Sequence, residues 1–244
     1  MGKWSQLVGD AFLDWLAPAS GLRWLDVGCG NGAFTQMIVD RCAPAAVDGI
    51  DPAEGQLAFA RTRPASRIAR FHQGDAMALP FPDNSFDVAV MPLVIFFVPV
   101  PTVGVAEMAR VVAAGGTVSA YAWDMVGGGF PYHALHEEMR AIGIDVPSPP
   151  SRDASRLDVL RELWTGAGLE AVETREIDVQ RTFPSFEDYW STILGGPSVS
   201  KKLKAMPAEP LAQLEGRMRT LLPADTNGGV TINARANAVK GRVK

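Results

Sequence analysis

Three glycines stand at every second position of this chain, directly after a short apolar run. The run 23–27 is typical of a buried strand, and residues 34–39 then place apolar side chains at helical spacing. Gly28, Gly30 and Gly32 are therefore expected in a turn between a strand and a helix. Because glycine tolerates positive φ and lacks a Cβ, such a turn lets backbone approach a ligand, and the helix start adds unpaired N–H groups.

An acid at the end of the next apolar run adds a second binding group. Asp51 follows the run 45–50 at close to the roughly 20-residue offset typical of an acid that binds a ribose. Gly28, Gly30 and Ala33 also satisfy the dinucleotide pattern G-x-G-x-x-G/A. Since NAD and other nucleoside cofactors share a ribose diol, these residues predict such a cofactor without deciding which one.

A further motif separates the alternatives. Gly74-Asp75-Ala76 follows a third predicted strand, and the segment 79–87 leads into the apolar run 88–91. The order and spacing of these motifs resemble the class I S-adenosylmethionine-dependent methyltransferases over about residues 24–168 and a final strand. Within that family, the chain resembles the small-molecule, quinone-biosynthesis-type subgroup.

The resemblance implies S-adenosyl-L-methionine as cofactor and S-adenosyl-L-homocysteine as its product. In the family, an acid at the position of Asp26 holds the methionine amino group, one at Asp51 binds the ribose hydroxyls, and Asp75 with the Ala76 backbone reads adenine. Met91 resembles the floor beneath the sulfonium. The cofactor-binding residues implied in this way are Asp26, Gly28, Cys29, Gly30, Gly32, Asp51, Pro52, Asp75, Ala76 and Met91.

Methyl transfer from a sulfonium needs chiefly a nucleophile that is held close and aligned in a pocket that excludes water. Apolar side chains near the ends of the fourth and fifth strands are therefore candidates for acceptor contacts. The expected substrate-binding residues are Pro92, Phe96, Trp123 and Tyr132. An Asn- or Asp-Pro-Pro-Tyr motif, typical of amino-group methylation, is replaced here by residues 91–94, Met-Pro-Leu-Val. The sequence therefore favours an O or C atom of a small, partly apolar metabolite.

Two histidines are the candidates for a general base, which only an acidic acceptor group requires. His133 and His136 lie three residues apart on one predicted helix, and either could accept a hydroxyl or phenolic proton. Solvation of both on a polar helix face is the alternative. No metal is expected, because a third ligand is missing from the local pattern.

The predicted elements alternate and so indicate an α/β, Rossmann-like, doubly wound sheet that is mostly parallel, with an antiparallel last strand. Strands are expected near residues 22–28, 45–50, 67–73, 87–91, 117–123, 169–179 and 230–238. A leading helix over 4–17 and the core 1–183 plus 228–244 would bind the cofactor. Residues 125–150 form a predicted lid segment, and residues 184–227 form a helical cap between the last two strands.

Composition narrows the function further. The chain has 244 residues, 47% of them hydrophobic and 20% charged, with a net charge of −4. This balance supports a large core and gives no general attraction to nucleic acid. Two cysteines without a pairing motif fit a cytoplasmic protein. We expect a small-molecule acceptor and a monomer or homodimer.

The uncharged stretch 88–106 is long enough for a membrane span of about 18 residues. Pro92, Pro99 and Pro101 interrupt it, however, and a helix interior tolerates such breaks badly. The stretch therefore predicts a buried strand, a loop and a helix start instead.

Two rival functions stay open at this point. One is an NAD(P)-dependent oxidoreductase, which the dinucleotide pattern favours but which lacks a Tyr-x-x-x-Lys pair and a use for Gly74-Asp75. The other is a non-catalytic module that binds S-adenosylmethionine.

Overall fold

A computed structural model describes residues 2–196 and 199–244 of the chain. Its strands are β1 (Arg23–Val27), β2 (Ala46–Asp51), β3 (Ala69–Gln73), β4 (Phe86–Pro92), β5 (Val112–Trp123), β6 (Glu170–Phe183) and β7 (Val230–Arg242). Its helices are α1 (Gly2–Leu16), α2 (Ala33–Cys42), α3 (Glu54–Ala60), α4 (Pro101–Val111), α5 (His133–Ala141), α6 (Leu157–Gly166), α7 (Phe186–Gly195), α8 (Ser200–Lys204) and α9 (Ala208–Leu221).

All seven strands form one sheet in the order β3-β2-β1-β4-β5-β7-β6. Strands β1 to β5 pair in parallel, and β7 runs antiparallel to both β5 and β6. The predicted mostly parallel sheet with an antiparallel last strand is confirmed. The register pairs Val27 with Ile50 and Asp51 with Gln73, so the carboxyl ends of β1, β2 and β3 meet at one edge.

The leading helix α1 packs on the sheet as its apolar pattern predicts. Phe12 lies in the core, with its ring centroid 4.6 Å from that of Tyr121 in β5 and 6.2 Å from that of Phe34 in α2. Arg41 of α2 also donates hydrogen bonds to Asp10 and Asp14 of α1. Helix α1 is thereby fixed alongside α2, at both the first and the last turn of that helix.

Several element bounds differ from the prediction. β5 begins at Val112 rather than at residue 117, because Val112 already pairs with Phe86 of β4; the register then shifts before Thr117 pairs with Val88, and Gly115 has a φ of +75° in this irregular part. β6 and β7 extend to Phe183 and Arg242, since antiparallel pairing to each other continues along both strands. Helix α3 was not singled out in the sequence.

The uncharged stretch 88–106 folds as predicted into a strand, a loop and a helix start. β4 is followed by a short 3-10 helix, Ile95–Phe97, and α4 opens at Pro101. Among the described residues, no helix has both the length and the apolar composition needed to cross a membrane.

Between β6 and β7 the described residues of 184–227 form α7, α8 and α9, and this agrees with the helical interpretation. Helix α7 begins at a side-chain cap, in which Ser185 Oγ accepts a hydrogen bond of 3.1 Å from the Asp188 N–H. Helix α9 contacts α5, where Arg217 donates to Glu138. The division into a core and a cap domain stays a prediction.

Candidate functional site

The glycine turn connects β1 to α2 and bends sharply at three positions. Gly28, Gly30 and Gly32 have φ values of +75°, +51° and +73°, which a residue with a Cβ adopts only at a cost. The N–H groups of Gly28 and Cys29 both donate to the carbonyl of Ile50, at 2.8 and 3.0 Å. The turn is therefore held against the carboxyl end of β2.

Two of these glycines have different surroundings. A Cβ on Gly28 would lie 2.5 Å from a methyl group of Val94, so the close neighbour of Gly28 is a protein side chain. A Cβ on Gly30 would meet nothing within 4 Å. A ligand can therefore approach the backbone closely at Gly30. At Gly28, a side chain would collide with Val94, so glycine is needed there for packing as well.

Asp51 connects the end of β2 to the glycine turn. Its Oδ2 accepts a 2.9 Å hydrogen bond from the Gly30 N–H, and its Oδ1 accepts a 2.8 Å bond from the Ala53 N–H. These contacts hold the carboxylate at the sheet edge. A carboxylate can accept further bonds at its remaining lone pairs, as a ribose diol would need.

A cavity of about 420 Å³, which we call the acidic cavity, brings both predicted acids together. Asp51 and Asp75 both line it, and the Oδ1 of Asp75 accepts a 2.8 Å bond from the Met77 N–H. Its walls also include Gly28, Ile50, Pro52, Gly74, Ala76, Leu93, Val94, Phe97, Val98 and Pro99. Two acids from neighbouring strand ends thus face one space beside the glycine turn.

Asp26 lies beneath the turn and is completely buried. Its Oδ2 accepts a 2.6 Å hydrogen bond from the Thr35 hydroxyl, whereas its Oδ1 is buried without a hydrogen-bond partner in the described structure. The pKa of Asp26 is raised to about 7, chiefly by burial. The hydrogen bond from Thr35 lowers this pKa, and the negative charge of Asp51 raises it. A buried carboxylate oxygen without a donor calls for a cation or donor nearby.

A second cavity, of about 530 Å³, lies on the other side of the turn, and we call it the turn cavity. It is lined by α1 and α2, by the ends of β4 and β5, and by Arg63. The Arg63 Nε donates to the carbonyl of Asn31 at 2.6 Å, so the guanidinium is held beside the turn. Cys29 also lines it, and burial raises the pKa of that thiol, which makes it unreactive.

The third cavity, of about 530 Å³, is the apolar cavity. Four aromatic side chains, three prolines and Met125 form most of its wall, and the polar residues among the lining are Ser5, His136 and Ser148. The other lining residues are Leu93, Phe96, Phe97, Trp123, Met125, Phe130, Pro147, Pro149 and Pro150. Residues of the predicted lid segment 125–150 thus supply much of this wall.

Leu93 is common to the walls of all three cavities. It follows β4 directly and has a φ of +61°, a conformation that a leucine adopts only with strain. Its N–H donates to the carbonyl of Tyr121 at 2.7 Å, which fixes this conformation. A strained residue at the junction of three cavities is typical of a functional site.

The structure separates the predicted substrate contacts. Phe96 and Trp123 line the apolar cavity, and Pro92 lines the turn cavity. Tyr132, the N-cap residue of α5, is instead buried against Phe130, with ring centroids 5.6 Å apart. Met91 is likewise buried in the core. The roles predicted for all of these residues stay predictions.

The two candidate histidines are also separated. His136 lines the apolar cavity, and its ring packs 5.2 Å from that of Phe130. The ring of His133 lies beside Gly128, 3.3 Å from where a Cβ on that glycine would stand.

Sequence reasoning missed three residues that shape the cavities. Val94 stands between the acidic and turn cavities and lines both. Ser5 lines the turn and apolar cavities, and Arg63 lines the turn cavity. Their positions depend on how loops and α1 fold back, for which the sequence carried no signal beyond the glycine turn itself.

The residues present fit an adenosine with an amino-acid tail. The acidic cavity offers two carboxylates for hydroxyl and amino groups, the turn offers open backbone at Gly30, and the buried Oδ1 of Asp26 lacks a donor. The guanidinium of Arg63, in the wall of the turn cavity, could pair with the carboxylate of the amino-acid tail.

Comparisons with known proteins agree with this geometry. Residues 25–120 match the family model described as "Methyltransferase domain". The ubiquinone/menaquinone biosynthesis C-methyltransferase of Dinoroseobacter shibae is 40% identical over 111 residues, which are 44% of this chain and 44% of that protein. The phthiotriol/phenolphthiotriol dimycocerosates methyltransferase of Mycobacterium tuberculosis is 29% identical over 168 residues, which are 68% of this chain and 57% of that protein. The chain spans about half the length of these curated relatives.

Solved structures share the fold over nearly the whole chain. The YcgJ protein of Bacillus subtilis superposes with a TM-score of 0.62 at 19% identity, covering 97% of this chain and 98% of that one. The fold, with the sheet order found here, is therefore the Rossmann-like fold expected from the sequence.

Proposed function

We propose that this chain, whose residues 25–120 match the methyltransferase-domain model, transfers a methyl group from S-adenosylmethionine to an oxygen or carbon atom of a small, partly apolar molecule. The observation that carries the proposal is the acidic cavity, in which Asp51 and Asp75 face one space beside the glycine turn. A charged, hydroxyl-binding space adjoins an apolar one at Leu93, and this pairing suits a nucleoside cofactor and an apolar acceptor.

Four of the protein's acidic and basic side chains would bind different parts of the cofactor. Asp51 accepts hydrogen bonds from the ribose hydroxyls, and Asp75 with Ala76 binds adenine. Asp26 and Arg63 bind the charged amino-acid tail, one through its carboxylate and the other through its guanidinium. When bound, the cofactor supplies a methyl group that its sulfonium makes electrophilic.

The apolar cavity would orient the acceptor and exclude water. Its aromatic and proline wall contributes binding energy by burial, and Leu93 lies where the acceptor meets the cofactor space. The lid segment 125–150 supplies much of this wall, and α9 of the segment 184–227 contacts α5 of the lid. A cytoplasmic location, a monomeric or dimeric state and the lack of a nucleic-acid partner stay predictions.

The proposal is tested by incubating the purified protein with S-adenosylmethionine and a panel of apolar phenols, quinols and fatty acids. The expected result is formation of S-adenosylhomocysteine together with a methylated compound, and Asp51→Ala should lower the rate sharply. Cofactor binding without methylation of any compound would favour the non-catalytic module. Reduction or oxidation of a compound with NAD(P)(H) would favour the rival enzyme.

A further inference from the structure

The wall of the apolar cavity, although mostly apolar, includes the imidazole of His136. Among the described residues that line it, His136 is the titratable one, and aromatic rings and prolines surround it. The imidazole belongs to α5 and points into this wall, with Phe130 beside it. A lone imidazole in an apolar wall can fix the orientation of an apolar ligand through one hydrogen bond.

The imidazole is neutral and available for that bond. Burial lowers the pKa of His136 to about 4, and the nearby positive charges of Arg140, His133 and Lys202 lower it too, against a raising effect of Glu137. Among the side chains that the structure describes, none forms a hydrogen bond with either ring nitrogen. A neutral imidazole offers one acceptor nitrogen and one N–H donor.

We infer that His136 binds the hydroxyl group of the acceptor, and that the acceptor is a phenol: an aromatic, otherwise apolar molecule whose O–H donates to the imidazole. This inference rests on the proposed function and names its substrate class. The ring of a phenol fits against Phe96, Trp123 and Phe130, since aromatic pairs favour edge and offset contacts. Its hydroxyl then meets the imidazole, and a molecule that lacks this hydroxyl leaves His136 without a partner.

The inference is tested by calorimetric binding of 4-propylphenol and of its methyl ether, 4-propylanisole, to the full chain. The two probes have the same apolar body, but only the phenol can donate a hydrogen bond. The wild-type protein should bind the phenol about 3- to 10-fold more tightly, as one net hydrogen bond predicts. His136→Leu should bring this ratio close to one, because leucine keeps the bulk and removes the acceptor.

Two further variants keep the test decisive. His136→Gln retains a hydrogen-bond acceptor and should recover part of the ratio even if the leucine variant unfolds. His133→Leu is the matched control on the same helix and should keep the wild-type ratio. The inference is overturned if the wild type does not bind the phenol, if it binds both probes equally, or if both His136 variants keep the full ratio.

Binding of S-adenosylhomocysteine to the same proteins separates this inference from the proposed function. The His136 variants should bind it within about twofold of the wild type, because His136 lines neither the acidic cavity nor the turn cavity. Failure of the wild type to bind it would overturn the proposed function. In that case, the ratio of the affinities for 4-propylphenol and 4-propylanisole still shows whether His136 binds a hydroxyl group.

Discussion

Replacing Asp26 with asparagine should remove a pH dependence of stability that this buried carboxyl imposes on the protein. Burial raises the pKa of Asp26 from 3.8 to about 7. At about 1.36 kcal/mol for each pKa unit, ionising Asp26 in the folded state costs about 4 kcal/mol relative to the unfolded chain. Because the folded pKa is the higher one, the stabilisation is complete below pH 3.8 and is lost as the pH rises to about 7.

The measurement is chemical denaturation of the wild type and of Asp26→Asn at several pH values from 5 to 9, without cofactor. Other titrating groups cancel in the difference between the two proteins. The wild type should lose about 1.4 kcal/mol of unfolding free energy per pH unit relative to the variant between pH 5 and 7, and little above pH 8. A difference that stays constant from pH 5 to 9 would refute the reasoning.

The same carboxyl should couple cofactor binding to pH. If Asp26 binds the amino group of the tail, binding requires the ionised form and stabilises it. Affinity for S-adenosylhomocysteine should therefore rise by up to about tenfold per pH unit from pH 5 to 7 in the wild type. In Asp26→Asn this rise should be absent, and parallel curves for the two proteins would exclude Asp26 from the tail site.

Three further substitutions test the cofactor site by calorimetric titration. Asp51→Ala should weaken S-adenosylhomocysteine binding by about 1 to 3 kcal/mol, because the ribose hydroxyls lose a charged acceptor, and a negligible loss would remove Asp51 from the site. Gly30→Val should weaken binding further, since its side chain enters open space and is strained at a φ of +51°; unchanged affinity would show that no ligand approaches there. Arg63→Ala should weaken the binding of S-adenosylhomocysteine but not that of 5′-methylthioadenosine, which lacks the carboxylate. Equal losses of affinity for both ligands would place Arg63 away from the tail.

Much of the sheet could be predicted because strand and helix patterns alternate clearly. The prediction that Asp51 and Asp75 meet follows from topology alone, since parallel neighbouring strands end at the same edge. Their shared cavity also needs the segment 93–99 after β4, which supplies five of its lining residues. The start of β5 at Val112 could not be predicted, because the glycines that follow it are typical of a turn.

Features that depend on the folding of loops could not be read from the sequence. Val94 packs against Gly28 and directly follows Leu93, which has a positive φ that no local pattern predicts for leucine. His133 and His136 were equivalent as helical residues, and only the folded structure places His136 in the wall of the apolar cavity and His133 beside Gly128. Tyr132 illustrates the same point, since its burial beside Phe130 could not be read from the sequence, and its contact with substrate stays a prediction.

The central claim is tested most directly by titrating the protein with S-adenosylhomocysteine and, separately and in competition, with NADH. If Asp51 and Asp75 form one adenosine site beside the glycine turn, S-adenosylhomocysteine should bind saturably, lose affinity in Asp51→Ala and in Asp75→Ala, and resist displacement by NADH. Tight binding of NADH with no binding of S-adenosylhomocysteine would contradict the account.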